Sequence, residues 1–274
     1  RDVAPSRGLG DVYKRQMCIR TLVKPGDEVI IPEPCFVCYE PITTLSGGVP
    51  VHVACRQEDE FRLRAEALKA AITPKTKLVI MPFPNNPTGA VMEREDLEAV
   101  AEVLRGTDIM VLSDEIYSEL TYGLDRHVSI ASLPGMAERT IVVNGFSKTY
   151  AMTGWRLGYA CGPAPIIKIM TKIHQSCIMS APTTSQYAAV TALRQCDDQI
   201  DILCLPDALH TKHGLHIYDS NTTKLDKMSG DIRCRTNQRI IADLTDLYHV
   251  ICYQTMSSLD PVSYTHLTLP TNSR

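Results

Sequence analysis

The sequence has no apolar run long enough to cross a bilayer, and its first residues lack the apolar core of a secretory signal. It also lacks an excess of charge of either sign. The formal net charge of −3 gives no reason to expect nucleic acid or an anionic membrane as a partner. With 44% hydrophobic and 22% charged residues among 274, the composition predicts a globular cytoplasmic protein of one large or two small domains.

Zinc-ligand spacing is lacking as well, although the chain contains ten cysteines. Cys35 and Cys38 form a C-x-x-C pair, but no second pair and no histidine follows nearby at the spacing of a zinc site. His210, His213 and His216 recur every third residue without a helical pattern to present them. We therefore predict no metal centre, and we expect the thiols to be reduced and mostly buried.

What the sequence does contain is an alternation of continuous apolar strands with helical patterns. Such strands are typical of a parallel sheet that is covered by helices on both faces. The predicted fold class is therefore α/β, a three-layer α/β/α domain with a mostly parallel sheet. The predicted strands lie at 28–32, 49–54, 77–81, 109–112, 140–143 and 157–161, and the predicted helices at 62–72, 94–104, 164–175 and 184–194.

Three polar stretches follow the ends of predicted strands, where open α/β sheets bind ligands. They are residues 84–89 (PNNPTG), 113–117 (SDEIY) and 144–159, and the third contains Lys148 and, eight positions later, Arg156. A lysine after a strand is usually a solvated loop residue. In such a place, however, it can also lose its proton and attack an aldehyde, while the planar cation of arginine suits a phosphate. Together the two suggest an aldehyde cofactor that carries a phosphate, namely pyridoxal phosphate.

These three stretches, in this order and at this spacing, resemble the fold type I pyridoxal-phosphate aminotransferases of classes I and II. The resemblance extends from about Met17 to about Arg194. It implies pyridoxal 5'-phosphate as the cofactor, an amino acid and a 2-oxo acid as substrates, and a homodimer with active sites at the interface. It also implies that this part of the chain is the large cofactor-binding domain.

The resemblance assigns a role to each matching residue. Lys148 would bind the cofactor aldehyde covalently and, once freed, carry a proton to and from the substrate α-carbon. Asp114 would pair with the pyridine nitrogen and keep it protonated, where a helix cap or a salt bridge is the ordinary alternative. Asn86 and Tyr117 would both donate to the phenolic oxygen of the ring, although Asn86 could simply belong to a turn and Tyr117 to the core.

Two further residues complete the implied cofactor site. Arg156 matches the arginine that binds the phosphate, and Phe36 aligns with the aromatic residue that stacks on the ring, although it could equally be ordinary core. One position departs from a common family pattern. Many members place a hydroxyl residue three positions before the lysine, where this chain has Gly145, and we expect the hydroxyl of Ser147 to point elsewhere.

Both ends of the chain lack the regular pattern and resemble translated sequencing-adapter remnants. We expect residues 1–16 to be disordered or foreign to the fold, and residues 17–198 to form the cofactor-binding domain. After about residue 199 no phenylalanine occurs and the apolar residues lose any sustained period, except that 239–250 could form one helix. A reading-frame shift near residue 200 would produce this change, so 199–274 is predicted to be an unmatched tail.

Parts of the implied active site have no match in this sequence. The turn that meets the phosphate at a helix N-terminus should lie just before Met17, and the arginine for the substrate carboxylate belongs to a small C-terminal domain that we cannot find. We therefore expect little or no turnover from this chain. Two other functions stay open, namely a β-lyase or decarboxylase with the same lysine, aspartate and arginine, and a non-catalytic sensor domain that binds the cofactor.

Overall fold

The structure, a computed structural model, describes residues 11–121, 127–196 and 249–250. Its helices are α1 Asp11–Leu22, α2 Tyr39–Leu45, α3 Ala65–Ala71, α4 Arg94–Leu104, α5 Ala164–Cys177 and α6 Thr183–Gln195. Its strands are β1 Glu28–Glu33, β2 Val49–Ala54, β3 Thr76–Met81, β4 Met110–Asp114, β5 Thr140–Gly145, β6 Gly158–Gly162 and β7 His249–Val250. Among these residues, none of the helices combines the length and the apolar character that a membrane span requires.

The strands form one sheet in the order β2-β1-β3-β4-β5-β6-β7. The first five pair in parallel, whereas β6 and β7 join antiparallel at one side. The parallel pairing places the carboxyl ends of β1, β3, β4 and β5 along one edge of the sheet. The predicted α/β class with a mostly parallel sheet is confirmed.

The apolar residues of the central strands divide between two cores. In β3, Leu78 and Ile80 belong to the core beneath α1, α2, α5 and α6, whereas Val79 and Met81 belong to the core beneath α3 and α4. This division follows from the strand geometry, because successive side chains point to opposite faces. Burial on both faces explains why these strands are continuously apolar in sequence, and it confirms the three-layer arrangement.

Helix α4 shows how the local sequence sets an element. It begins after Glu93, whose side chain accepts the N–H of Asp96 while the Asp96 side chain accepts the N–H of Glu93. This capping box satisfies two backbone donors that the first turn leaves unpaired. The buried residues Leu97, Val100, Ala101 and Leu104 recur at helical spacing and face the second core.

Helix α1 begins earlier than the sequence predicts. Residues 11–16 are helical and Arg15 is buried, so the expectation that residues 1–16 are disordered is wrong for 11–16. The alternative, that this segment is foreign in origin, stays a prediction. The remaining residues of that segment, the three histidines at 210, 213 and 216, and the tail from 199 lie outside the described residues, apart from β7. Of the predicted helix at 239–250 only His249–Val250 are described, and these two residues form a strand.

The cysteines of the described residues are all free thiols. Cys18, Cys55 and Cys161 are buried, and burial raises the pKa of Cys55 to about 11. Within the C-x-x-C pair, burial raises the pKa of Cys35 to about 12 and also raises the pKa of Cys38. Both thiols are therefore protonated at neutral pH, and neither has the thiolate character of a redox or metal-binding cysteine.

A buried acidic residue anchors the segment that follows β4. Glu115 is fully buried, and its Oε1 accepts hydrogen bonds from Ser113 at 2.8 Å and Ser129 at 2.6 Å. His127 Nε2 lies 3.1 Å from its Oε2. Burial alone would raise the pKa of Glu115, but the nearby charge of His127 and the hydrogen bonds from Ser129 and Ser113 lower it below its ordinary value of 4.5.

Because of this network, we expect the free energy of unfolding to decrease at acidic pH. Because the pKa of Glu115 is lower in the folded chain than in the unfolded chain, its contribution is complete above about pH 4.5 and is lost as the pH falls through the folded-state pKa. We expect Glu115→Gln to lower the free energy of unfolding at pH 7 by about 3 kcal/mol, since it leaves His127 without its charged partner. The same variant should lose less stability than the original chain between pH 5 and pH 3, as measured by urea unfolding.

Glu98→Gln is the matched control, because Glu98 is exposed and lies 3.6 Å from Arg94 on the surface of α4. Its effect at pH 7 should stay below about 1 kcal/mol. Equal acid sensitivity of the original chain and Glu115→Gln would contradict this account of Glu115.

Candidate functional site

The carboxyl ends of the parallel strands border a cavity of about 190 Å³. All six site residues predicted from the sequence line it: Phe36, Asn86, Asp114, Tyr117, Lys148 and Arg156. They come from different strands, because Phe36 follows β1, Asn86 follows β3, Asp114 ends β4 and Lys148 follows β5. The remaining lining residues are Arg15, Tyr39, Pro82, Pro84, Ile116, Ser147 and Thr153.

Asn86 reaches the cavity from a tight turn. The preceding residue, Asn85, is buried, and its side-chain oxygen accepts the N–H of Thr88 at 3.2 Å and the Thr88 hydroxyl at 2.9 Å. The Asn85 N–H donates to Ala90 O at 2.9 Å and closes the loop. Gly89 takes a positive φ of 73°, which its lack of a side chain permits. Asn85 therefore makes the turn, and Asn86 is left to face the cavity, where its amide lies 3.4 Å from Tyr117 OH.

Asp114 is the most buried of the predicted ligand-binding residues. Only 2% of it is exposed, and its Oδ2 accepts hydrogen bonds from Tyr39 OH at 2.6 Å and from Arg15 Nε. Burial and then the charge of Asp114 raise the pKa of Tyr39 well above its ordinary value, so the phenol stays a donor. The other oxygen of Asp114, Oδ1, has no hydrogen-bond partner among the residues that the structure describes.

Lys148 is held by its neighbours in the turn after β5. Phe146 is buried and stacks on Tyr150 with ring centroids 5.7 Å apart, and the Ala151 N–H donates to Lys148 O at 3.1 Å. The half-buried lysine amine lies 5.4 Å from the centroid of the Tyr117 ring, a cation–π distance. The amine thus faces the cavity and the same tyrosine that Asn86 approaches.

Thr153 links Arg156 to the turn after β5 that contains Lys148. The Thr153 hydroxyl donates to Ser147 O at 2.8 Å, and Arg156 Nη1 donates to Thr153 O at 2.8 Å. Arg156 adopts a left-handed conformation with φ 54°, and its Nε is buried without a hydrogen-bond partner among the described residues. Ser147, which we expect from the sequence to point elsewhere, also belongs to the cavity lining, and its hydroxyl is buried and unpartnered in the same sense.

The charges and the unpartnered atoms fit a phosphorylated aromatic aldehyde. Three cationic side chains and one carboxylate line the cavity, an excess of positive charge that favours an anionic ligand. Buried polar atoms are normally paired, so Asp114 Oδ1 and Arg156 Nε are acceptor and donor sites that a ligand can satisfy. Lys148 adds the one primary amine of the lining. One feature departs from this fit, since Arg15 already pairs with the other oxygen of Asp114.

The sequence analysis missed Arg15 and Tyr39. Arg15 lies 99 residues from Asp114 in the chain, within the segment expected to be foreign, and no local pattern links the two. Tyr39 lies three residues after Phe36 at the start of α2, and its contact with Asp114 also depends on tertiary packing. The sequence signal for Tyr39 is its position three residues after Phe36. The two rings meet edge to face, with their centroids 6.4 Å apart.

The comparisons with known proteins identify the family of this chain. The family model for Aminotransferase class I and II matches residues 6–234 and so extends across both boundaries, at 16 and 199, that the sequence analysis draws. The putative aminotransferase YugH of Bacillus subtilis is 48% identical over 186 residues, which are 68% of this chain and 48% of that protein. The aspartate aminotransferase of Pyrococcus abyssi is 49% identical over 178 residues, which are 65% of this chain and 46% of that protein.

A solved structure gives the same answer for the fold. The crystal structure of the aromatic aminotransferase from Pyrococcus horikoshii is 47% identical and superposes with a TM-score of 0.68, covering 71% of this chain and 52% of that one. This chain therefore spans about half the length of the relatives it matches. On the family match and these likenesses, the chain belongs to the class I and II aminotransferases, within the fold type I pyridoxal-phosphate enzymes.

Proposed function

We propose that this chain binds pyridoxal 5'-phosphate in the cavity and carries the cofactor half of an aminotransferase site, whose reaction moves an amino group between an amino acid and a 2-oxo acid. One observation carries the proposal, namely that six residues chosen from three sequence motifs and one loop line a single cavity at the carboxyl edge of the sheet. The relatives are an aspartate, an aromatic and a putative aminotransferase, which favours amino transfer over elimination or decarboxylation.

The roles of the residues follow from their chemistry. When bound, the cofactor supplies a protonated aromatic ring that withdraws electrons from the substrate α-carbon. Asp114, buried at the end of β4, holds the proton at the ring nitrogen. The Lys148 amine would hold the cofactor at its aldehyde carbon, and as a free amine it could accept a proton at Nζ and return it.

Polar groups on the remaining sides orient the cofactor. Asn86 and Tyr117, whose polar atoms lie 3.4 Å apart, present two donors to one ring oxygen and stabilise its negative charge. Arg156 binds the phosphate through a guanidinium whose Nε has no partner among the described residues. Phe36 packs against the ring and excludes water from it.

We extend this proposal to the domain boundaries and to the oligomeric state. We propose that residues 17–198, together with the preceding helical turns of α1, form the cofactor domain, and that the intact protein is a cytoplasmic homodimer. Analytical ultracentrifugation of the chain with and without the cofactor tests the dimer, and a monomer under both conditions would count against it.

The central test is covalent attachment of the cofactor to Lys148. With a saturating concentration of pyridoxal 5'-phosphate, the original chain should show a visible absorbance band that free cofactor lacks, and borohydride should fix the cofactor to Lys148 in peptide mapping. Lys148→Ala removes the only lining amine, so both signals should be lost.

Lys168→Ala is the control, because Lys168 is exposed on the surface of α5. It should retain the band and the attachment. Attachment that persists in Lys148→Ala at another single lysine would contradict the assignment. Amino transfer itself is tested by adding an amino acid to the loaded chain, when 2-oxo acid without ammonia indicates transfer and ammonia indicates elimination.

Tyr117→Phe tests the assignment of the phenolic donors. This variant keeps the ring beneath the lysine amine but removes the hydroxyl that lies near Asn86. A hydrogen bond to the negatively charged ring oxygen favours that charged form, and this variant removes one such bond. The pH midpoint of the absorbance change of the bound cofactor should therefore rise by about one unit. Tyr187→Phe, on an exposed residue of α6, should leave the midpoint unchanged. An unchanged midpoint in Tyr117→Phe would show that its hydroxyl does not reach the cofactor.

A further inference from the structure

The guanidinium of Arg15 occupies the inner end of the cavity. Arg15 is only 5% exposed, and its Nε donates to Asp114 Oδ2. Its Cζ lies 5.2 Å from the centroid of the Phe36 ring and 5.5 Å from that of Tyr39. A planar cation therefore lies between an aromatic face and a buried carboxylate, held by an ion pair and two cation–π contacts.

Two of these partners are the groups that the cofactor ring needs. Phe36 is the residue proposed to stack on the ring, and Asp114 is the residue proposed to hold the proton at its nitrogen. A protonated pyridine ring is also a planar cation that carries an N–H donor. The guanidinium of Arg15 thus satisfies the same carboxylate and the same aromatic face with the same kind of chemistry.

The contact is a strong one. Burial alone would lower the pKa of Arg15, but the charge of Asp114, followed by Tyr39, raises it above its ordinary value, so the guanidinium stays charged. Tyr39 OH donates to the same Oδ2 at 2.6 Å, so both partners of this carboxylate lie on one of its two oxygens. Only Oδ1 is left without a partner among the described residues.

We propose that Arg15 sets the cofactor affinity of this chain as an internal competitor, because its guanidinium occupies the position over the Phe36 ring and must leave it before the pyridine ring can stack there. The inference rests on the proposed cofactor function. It gives the site two exclusive states, one with the Arg15 guanidinium over the Phe36 ring and one with the pyridine ring in that position. The apparent affinity for the cofactor is then reduced by the fraction of chains in which Arg15 is bound.

The test is a comparison of ligand binding by the full chain and by Arg15→Met, which keeps a similar apolar stem and removes the charge. Binding of pyridoxal 5'-phosphate is followed by equilibrium dialysis and by the fluorescence of Trp155, the single tryptophan, which adjoins Arg156. Removing the competitor should lower the Kd about tenfold or more. Arg20→Met is the matched control, because Arg20 is exposed on the same helix, and it should leave the Kd unchanged.

Inorganic phosphate distinguishes competition for the ring from general attraction of anions. Phosphate has no ring to compete for Asp114 or Phe36, so Arg15→Met should not tighten its binding. If Arg15 instead attracts the anionic ligand, the substitution will weaken the binding of both phosphate and pyridoxal 5'-phosphate, and the proposal is overturned. Equal cofactor affinity in Arg15→Met and the original chain would overturn it too.

A second measurement needs no substitution and covers the case in which Arg15→Met does not fold. Saturating cofactor should release Arg15 and increase its modification by phenylglyoxal in the original chain, as followed by peptide mass spectrometry, with Arg20 as the internal reference. Unchanged or decreased labelling of Arg15 contradicts the proposal while leaving cofactor binding intact. If neither the original chain nor any variant binds pyridoxal 5'-phosphate, the proposed function itself fails, and this inference fails with it.

Discussion

The parallel pairing of β1, β3, β4 and β5 is the constraint on which the site depends. Each strand runs in the same direction, so the chain must return along a face of the sheet before it can begin the next strand. The residues that follow each strand are therefore delivered to one edge. Residues from 36 to 156 meet around one cavity although they are far apart in sequence, because the backbone hydrogen bonds of the sheet fix the distance between adjacent strand ends.

The same geometry explains the two adjacent acidic residues at the end of β4. Successive side chains of a strand point to opposite sides, so Asp114 faces the cavity while Glu115 points into the network of Ser113, Ser129 and His127. One carboxylate lines the cavity, and the other lies within a network away from it. The buried pair fixes the backbone that carries Asp114 and Tyr117, so the rigidity of the site rests on contacts that never touch a ligand.

Features that depend on residues close together in the chain could be predicted from the sequence, whereas contacts between residues far apart in the chain could not. The strands and α4 could be predicted because apolar periodicity and capping are local, and Asn86, Asp114 and Lys148 because each belongs to a motif at the end of a strand. Arg15 and Tyr39 could not, since their contacts with Asp114 cross 99 and 75 residues and depend on how helices pack against the sheet. The start of α1 was missed for a related reason. Residues 11–16 have no apolar period, yet Arg15 is buried because a carboxylate lies opposite it.

A buried carboxylate at this edge requires a cationic or hydrogen-bonding partner in every state of the protein, because an unpaired charge in such a place is strongly destabilising. If the site binds a cationic ring, as proposed, Asp114 must have other partners while the ring is absent. Tyr39 supplies one neutral hydrogen bond to Asp114, and Arg15 supplies the compensating positive charge. A stronger ion pair between Arg15 and Asp114 would therefore stabilise the ligand-free fold and, in the proposed competition, lower the affinity for the ring. The more firmly Arg15 compensates Asp114 in the free chain, the more of that interaction the cofactor must replace when it binds.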